Sequence, residues 1–176
     1  MNNLKANPVG FDMAIEKLQK KLHSKLTTLW GVELDGYPRC YSQSVEGKKG
    51  IVYYKSNKEY SKSLIHKERN KFFFLMDSEY KKISDYSYSS KAELFFIVNL
   101  KECKPQVTSR ADEEVRVDVL NILNSFSDLA LDIRISYNVA DVFRGFENTD
   151  TLDLHPYHCF KITFTINDFN IFQKPC

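Results

Sequence analysis

One stretch of this chain narrows the choice of fold more than any other. From Ala92 to Leu100 the residues read Ala-Glu-Leu-Phe-Phe-Ile-Val-Asn-Leu, an apolar strand. Lys104, Pro105 and Gln106 then mark a turn, and from Ser109 to about Phe126 the pattern becomes helical. Val115, Val119, Ile122 and Phe126 recur at spacings of three and four, flanked by Leu120 and Leu123, which gives the helix one apolar face. Ser109 is the expected N-cap. Asp112 and Glu113 fall in the first turn, where negative charge meets the positive end of the helix dipole. A strand, a tight connector and an amphipathic helix in that order predict a compact α+β domain.

The rest of the chain extends this reading. Residues 1–10 read as a short unstructured arm ending in Pro8 and Gly10. Asp12 is the expected cap of a first helix that carries Ile15, Leu18, Leu22, Leu26 and Leu29 on one stripe and stops at Gly31. Gly36 to Ser44 reads as a turn and a short strand, and Glu46 to Gly50 as a turn leading into the strand Ile51–Tyr54. Residues 46–70 form a long basic loop or protruding hairpin, and loops of that length are usually functional or disordered. Lys71 to Met76, with Phe72, Phe73 and Phe74, is expected to be a central strand. Asp77 to Ser90 is a connection rich in tyrosine and serine, partly strand. Asp132–Tyr137 and Phe160–Asn167 alternate with period two, the mark of antiparallel strands with one wet face. Val139–Phe146 is a short helix or a strand, and Asn148–Pro156 a polar loop. The expected architecture is a single α+β domain over residues 1–176. It has an antiparallel or mixed sheet of about five or six strands, with two long helices packed on one face. The opposite face is comparatively polar, at Lys161, Thr163 and Thr165, and open sheet edges must be blunted or paired with another chain.

Composition excludes several classes. A hydrophobic share of 43% and a charged share of 27% describe a soluble globular chain, not a disordered one. No apolar run approaches the roughly 20 residues of a membrane span, and residues 1–8 lack a secretory core, so cytosolic synthesis without membrane contact is expected. Cys40, Cys103, Cys159 and Cys176 lie far apart with no Cys-x-x-Cys pair, and are expected as free thiols. Charge is unevenly placed. Residues 1–82 carry 16 Lys and Arg against 9 Asp and Glu, whereas residues 83–176 carry 9 against 14. A basic half and an acidic half suit a molecule that meets copies of itself head to tail.

Chemistry is sparse. His155, Pro156, Tyr157, His158 and Cys159 form a cluster of ligand-capable side chains, but Pro156 favours an extended backbone that sends neighbours in different directions. Neither a metal centre nor a Cys159–His nucleophile is expected there. The acidic run Asp112, Glu113 and Glu114 reads as solvated and dipole-matching. The six glycines are scattered, which excludes a glycine-rich phosphate loop, and no cofactor is expected. What stands out is the basic, tyrosine-bearing stretch Lys48, Lys49, Lys55, Lys58, Lys62, Lys67 and Arg69, a candidate oligomer interface. The alternative is a binding module that contacts protein or nucleic acid through loop 48–69.

The order of elements resembles the tail-terminator and tail-completion proteins of long-tailed bacteriophages. The matching residues are the stripe Ile15, Leu18 and Leu22, then Phe72–Phe74, then Phe95-Phe96-Ile97-Val98-Asn99-Leu100. They continue with Arg110–Val115, Asp141–Phe146 and the closing strand from Pro156 to Phe164. The likeness covers most of residues 12–167. It implies a structural virion protein without catalysis, forming a ring, usually hexameric, that ends the tail tube and joins it to the neck. The implied partners are copies of itself and other neck and tail-tube proteins, with genomic DNA passing through the lumen without sequence-specific contact. The implied location is the virion, after synthesis in the host bacterial cytoplasm.

Overall fold

The computed structural model describes residues 1–45, 48–56, 59–60, 64–76, 79–126, 130–144, 146 and 149–169. Helix α1 (Phe11–Trp30) is followed by β1 (Asp35–Arg39), β2 (Tyr41–Val45), β3 (Lys48–Val52), β4 (Tyr54–Ser56) and β5 (Glu59–Tyr60). Strands β6 (Lys71–Met76), β7 (Lys81–Lys82) and β8 (Tyr88–Asn99) come next, then a one-turn helix α2 (Leu100–Cys103) and the long α3 (Asp112–Asn124). The chain continues through β9 (Ala130–Ser136), a short α4 (Val139–Val142), a 3-10 turn at Asp150–Asp153 and β10 (Tyr157–Phe169). The main sheet has the order β1-β6-β8-β10-β9, with β7 beside β8. Only the β1–β6 pairing is parallel among these described strands, so the fold is α+β with a mixed six-stranded sheet and two long helices.

The sheet forms where it does because its three middle strands carry aromatic rings in register. Phe72 pairs with Phe96 and Phe96 with Phe160, and the ring centres lie 5.5 Å and 4.7 Å apart. One residue along, on the other face, Phe73 stacks on Phe95 at 5.1 Å. Cross-strand aromatic pairs of this kind add to sheet stability beyond simple burial. The first face takes α1 and α3, which bring Ile15, Leu18, Leu22, Val115, Val119 and Leu123 onto Phe72, Phe96, Ile162 and Phe164. Gly36 is required at its position: an added Cβ would stand 2.8 Å from Phe72 Cζ. Gly31 ends α1 in the left-handed region (φ 67), with its N–H donated to Thr27 O.

Several expectations need correction. Asp12 does not cap α1. It is buried one residue inside the helix, where its carboxylate pairs with Lys5 and, at 3.0 Å, with Arg39 Nε. Leu29 is 55% exposed, because Trp30 takes the buried place in the last turn and donates its indole N–H to Asp118 Oδ2 at 2.7 Å. Ser109 does not cap α3. The helix starts at Asp112 without a side-chain cap, and its inner line is Val115, Val119 and Leu123, with Ile122 and Phe126 half-buried against the same core. Nor are residues 1–10 a free arm: Asn2 bridges β1 at Gly36, Asn3 N donates to Gly36 O at 2.8 Å, and Gln19 Nε2 reaches Asn2 Oδ1 at 2.8 Å.

The face away from the helices is also less polar than expected. Lys161, Thr163 and Thr165 do line its lower part, half-buried, with Lys161 paired to Glu93 at 2.8 Å. Its upper part is a second core of Phe73, Phe95, Ile97, Cys159, Val142 and Phe143, closed by Cys40, Ile51 and Leu64 from the 40–64 region. The basic segment, expected as a long loop or protruding hairpin, carries β3, β4 and β5: β3 pairs antiparallel with the preceding β2 and β4 with β5, and Ile51 and Leu64 pin the segment to the sheet. Residues 46–47, 57–58 and 61–63 of that segment lie outside the described residues.

Truncating Phe96 to Ala should cost about 3–5 kcal/mol, whereas Leu29→Ala should change stability by no more than about 0.5 kcal/mol. Urea unfolding followed by far-UV circular dichroism measures both, and equal losses would place Leu29 back in the core.

Candidate functional site

The described residues among the seven nominated from sequence are distributed over several parts of the chain. Lys48 and Lys49 lie in β3, in register with Val45 and Ser44 of β2. Lys55 is exposed on β4. Lys67 and Arg69 sit just before β6 and are engaged from afar: Lys67 Nζ lies 4.8 Å from the centre of the Tyr157 ring, and Arg69 Nη1 lies 3.6 Å from Asp35 Oδ2. Lys58 and Lys62 lie outside the described residues. Two of the nominated cations therefore already have partners within the chain, and the free surface moves toward the hairpins.

There the structure assembles a group that residue spacing alone did not disclose. Tyr60 stands edge-on to Tyr54 at 5.4 Å and to Tyr41 at 6.1 Å, so three tyrosines from β2, β4 and β5 form one cluster. All three are exposed, at 37%, 44% and 47%. Arg39 lies over the Tyr41 ring at 5.6 Å and is held from below by Asp12. Beneath them Tyr37 and Tyr53 pack at 4.9 Å, and burial beside Asp35 pushes the Tyr37 hydroxyl up to about 12. Exposed Tyr with Arg is the composition of interface hot spots, because rigid rings bury much area for little side-chain entropy.

The His155–Cys159 segment divides, but through a turn with a cis His155–Pro156 peptide bond and not through the extended backbone expected at Pro156. His155 is exposed, while His158 is 1% exposed and fully engaged. Its Nδ1–H donates to Asp153 Oδ1 at 2.6 Å, and Nε2 accepts from Arg116 Nη1 at 3.1 Å, an arrangement that needs the neutral ring. Burial depresses its basicity below the ordinary 6.5, against the pull of Asp153. Asp153 Oδ1 also accepts from Arg110 at 2.8 Å and from the Cys159 N–H at 3.3 Å. Arg116 in turn pairs with Asp112 at 3.1 Å and with Glu113, and lies over Tyr137 at 4.5 Å. The acidic run is therefore only partly solvated: Glu114 faces solvent, but Asp112 and Glu113 hold Arg116 in place. The network ties α3, the 3-10 turn and the start of β10 together.

Burial pushes the Cys159 thiol up to about 12 and the Cys103 thiol to about 12, so neither is poised as a thiolate nucleophile. Among the described residues, no group of three or more His, Cys, Asp or Glu is placed to hold a metal ion. Lys71 was read simply as the start of a strand. It is buried, its Nζ lies 2.8 Å from His66 Nδ1, and desolvation brings it down to about 8. A depression of about 730 Å³ near the far end of the sheet is lined by Tyr80, Lys81, Ser90, Leu131, Asp132 and Thr165, among others, and by none of the nominated residues.

No protein-family model matches the chain, and no curated protein matches it significantly.

Because the folded His158 binds its proton less tightly than the unfolded residue, the unfolded chain gains protons first as the pH drops. Stability from this group is complete above 6.5 and is lost as the pH falls through 6.5 toward the lower folded value. The urea midpoint should therefore decline on mild acidification, and His158→Gln should flatten that decline. An unchanged slope in the variant would remove His158 from the acid response.

Proposed function

We propose that this chain is a structural subunit of a tailed-bacteriophage particle that assembles into a ring at the head–tail junction, ends the tail tube and joins it to the neck, without catalysing a reaction. The observation that carries this reading is the asymmetry of the subunit's flanks. The tyrosine-bearing hairpins are carried on the connection between β1 and β6, at one end of the sheet order, while β9 lies at the other end. A subunit with different docking surfaces on opposite flanks associates head to tail, and a head-to-tail contact closes into a ring when the rotation per copy divides a circle. The order of α1, the aromatic β6, the strand ending at Asn99, α3 and the closing β10 supports the specific assignment, being the order that the resemblance to tail-completion proteins implies. The two-sided core supports it as well, since a ring subunit must keep its shape under load.

A second reading draws on the same tyrosines. Exposed rings, one of them with Arg39 over its face, also suit stacking of single-stranded nucleic acid. In that case, binding to a labelled oligonucleotide should weaken steeply with salt.

Light scattering over a range of concentrations, paired with negative-stain microscopy, tests the ring. The expected result is a discrete oligomer with an annular outline, and the same chain found by mass spectrometry in purified virions. A protein that stays monomeric throughout and is missing from particles would overturn the assignment.

A further inference from the structure

We propose that residues 64–70 form an acid-released strap: protonation of His66 in mild acid drives this segment off Lys71 and frees the Leu64 anchor of the hairpins from the second core. The strap runs into β6, and its contacts reach β3, β10, β1 and β8. Leu64 is buried in the second core and donates its N–H to Ile51 O of β3 at 2.5 Å. Lys67 lies over the Tyr157 ring at the start of β10, and Arg69 faces Asp35 of β1. Asn70 Oδ1 accepts the N–H of Asn99 at the end of β8. His66 sits in the middle of this run with its side chain 39% exposed, so protons reach it from solvent.

His66 meets Lys71. That lysine stands in register with Asp35 of β1 and with Ile97 of the second core, and it is 1% exposed. Its Nζ lies 2.8 Å from His66 Nδ1 and 3.2 Å from His66 Nε2. A neutral imidazole keeps one nitrogen free to accept from the ammonium, whichever tautomer it adopts. An imidazolium has two donors and no acceptor. Protonating His66 therefore sets two cations against each other at hydrogen-bond distance, one of them withdrawn from water.

Neighbouring charges do not remove that conflict. Glu68 Oε2 lies 3.7 Å from His66 Nδ1, but the Glu68 side chain is 84% exposed and water screens it. Asp35 of β1 favours both cations, yet it is already paired with Arg69 and with the Met1 amine. Glu102 of α2 is bonded to Asn70 and Asn99. Burial, and then the charge of Lys71, hold His66 below its ordinary 6.5, and burial brings Lys71 from 10.5 down to about 8. The closed strap thus binds both protons less tightly than the released one. The Lys71 contribution is already lost between 10.5 and about 8. The His66 contribution is complete above 6.5 and is lost as the pH falls through 6.5 toward the lower closed value.

NMR on the full chain, with labelled histidine rings and leucine methyls, tests the strap from about pH 8 to about pH 5. The His66 ring should titrate below 6.5. The Leu64 methyls should move with the same midpoint toward unfolded-chain positions, while Leu123 in the first core stays in place. His66→Asn keeps an acceptor for Lys71 but does not titrate, so its Leu64 methyls should not move. His158→Gln should leave the Leu64 movement intact. Leu64 methyls that stay still while His66 titrates overturn the strap. Movement that persists in His66→Asn, or disappears in His158→Gln, overturns it too. The readout is the same for a monomer and an oligomer, so its outcome is independent of the ring reading.

Discussion

The stack of phenylalanines across β6, β8 and β10 is the constraint on which the rest depends. Phe72, Phe96 and Phe160 hold one face of three adjacent strands in register, and Phe73 and Phe95 do the same on the other. Because the period of a strand is two, a slip of one residue would move every ring to the wrong side. Consecutive phenylalanines can only be buried if both faces of the sheet are covered. The two helices cover one face, and the hairpin base with α4 covers the other. The hairpins are therefore built into the fold at their base and exposed above it.

That double role links stability to the proposed assembly. Ile51 and Leu64 anchor the 40–64 region on the second core, so Tyr41, Tyr54 and Tyr60 are presented from a fixed platform. Preorganised rings lose little entropy on docking. On the opposite flank, the Arg116–His158–Asp153 network braces α3 and the start of β10, the strand that carries β9. Both flanks are thus tied to the same central strands, as the proposed assembly requires.

Asp12, Arg116 and His158 are buried against charged or hydrogen-bonding partners, and each has at least one partner from another element. Each therefore acts as a cross-tie: Asp12 joins α1 to residues 5 and 39, and His158 joins β10 to α3 and the 3-10 turn. Their burial makes those junctions sensitive to single substitutions.

Local periodicity was enough to read the two long helices, the aromatic strands β6 and β8, the alternating β9 and β10, and the α+β class, because each of those signals lies within one element. The stop at Gly31 was legible for the same reason. What spacing along the chain did not contain was the parallel β1, the docking of Asn2 and Asn3, the second core and the meeting of three tyrosines from separate strands. Lys67 and Arg69 looked like free surface charges until Tyr157 and Asp35 came beside them. Asp12 and Ser109 looked like caps until burial drew one inward and the helix began three residues past the other. A pattern of three, four or two residues reports which side of an element is apolar. Which partner that side meets depends on register and packing between segments tens of residues apart, and only the folded chain decides it.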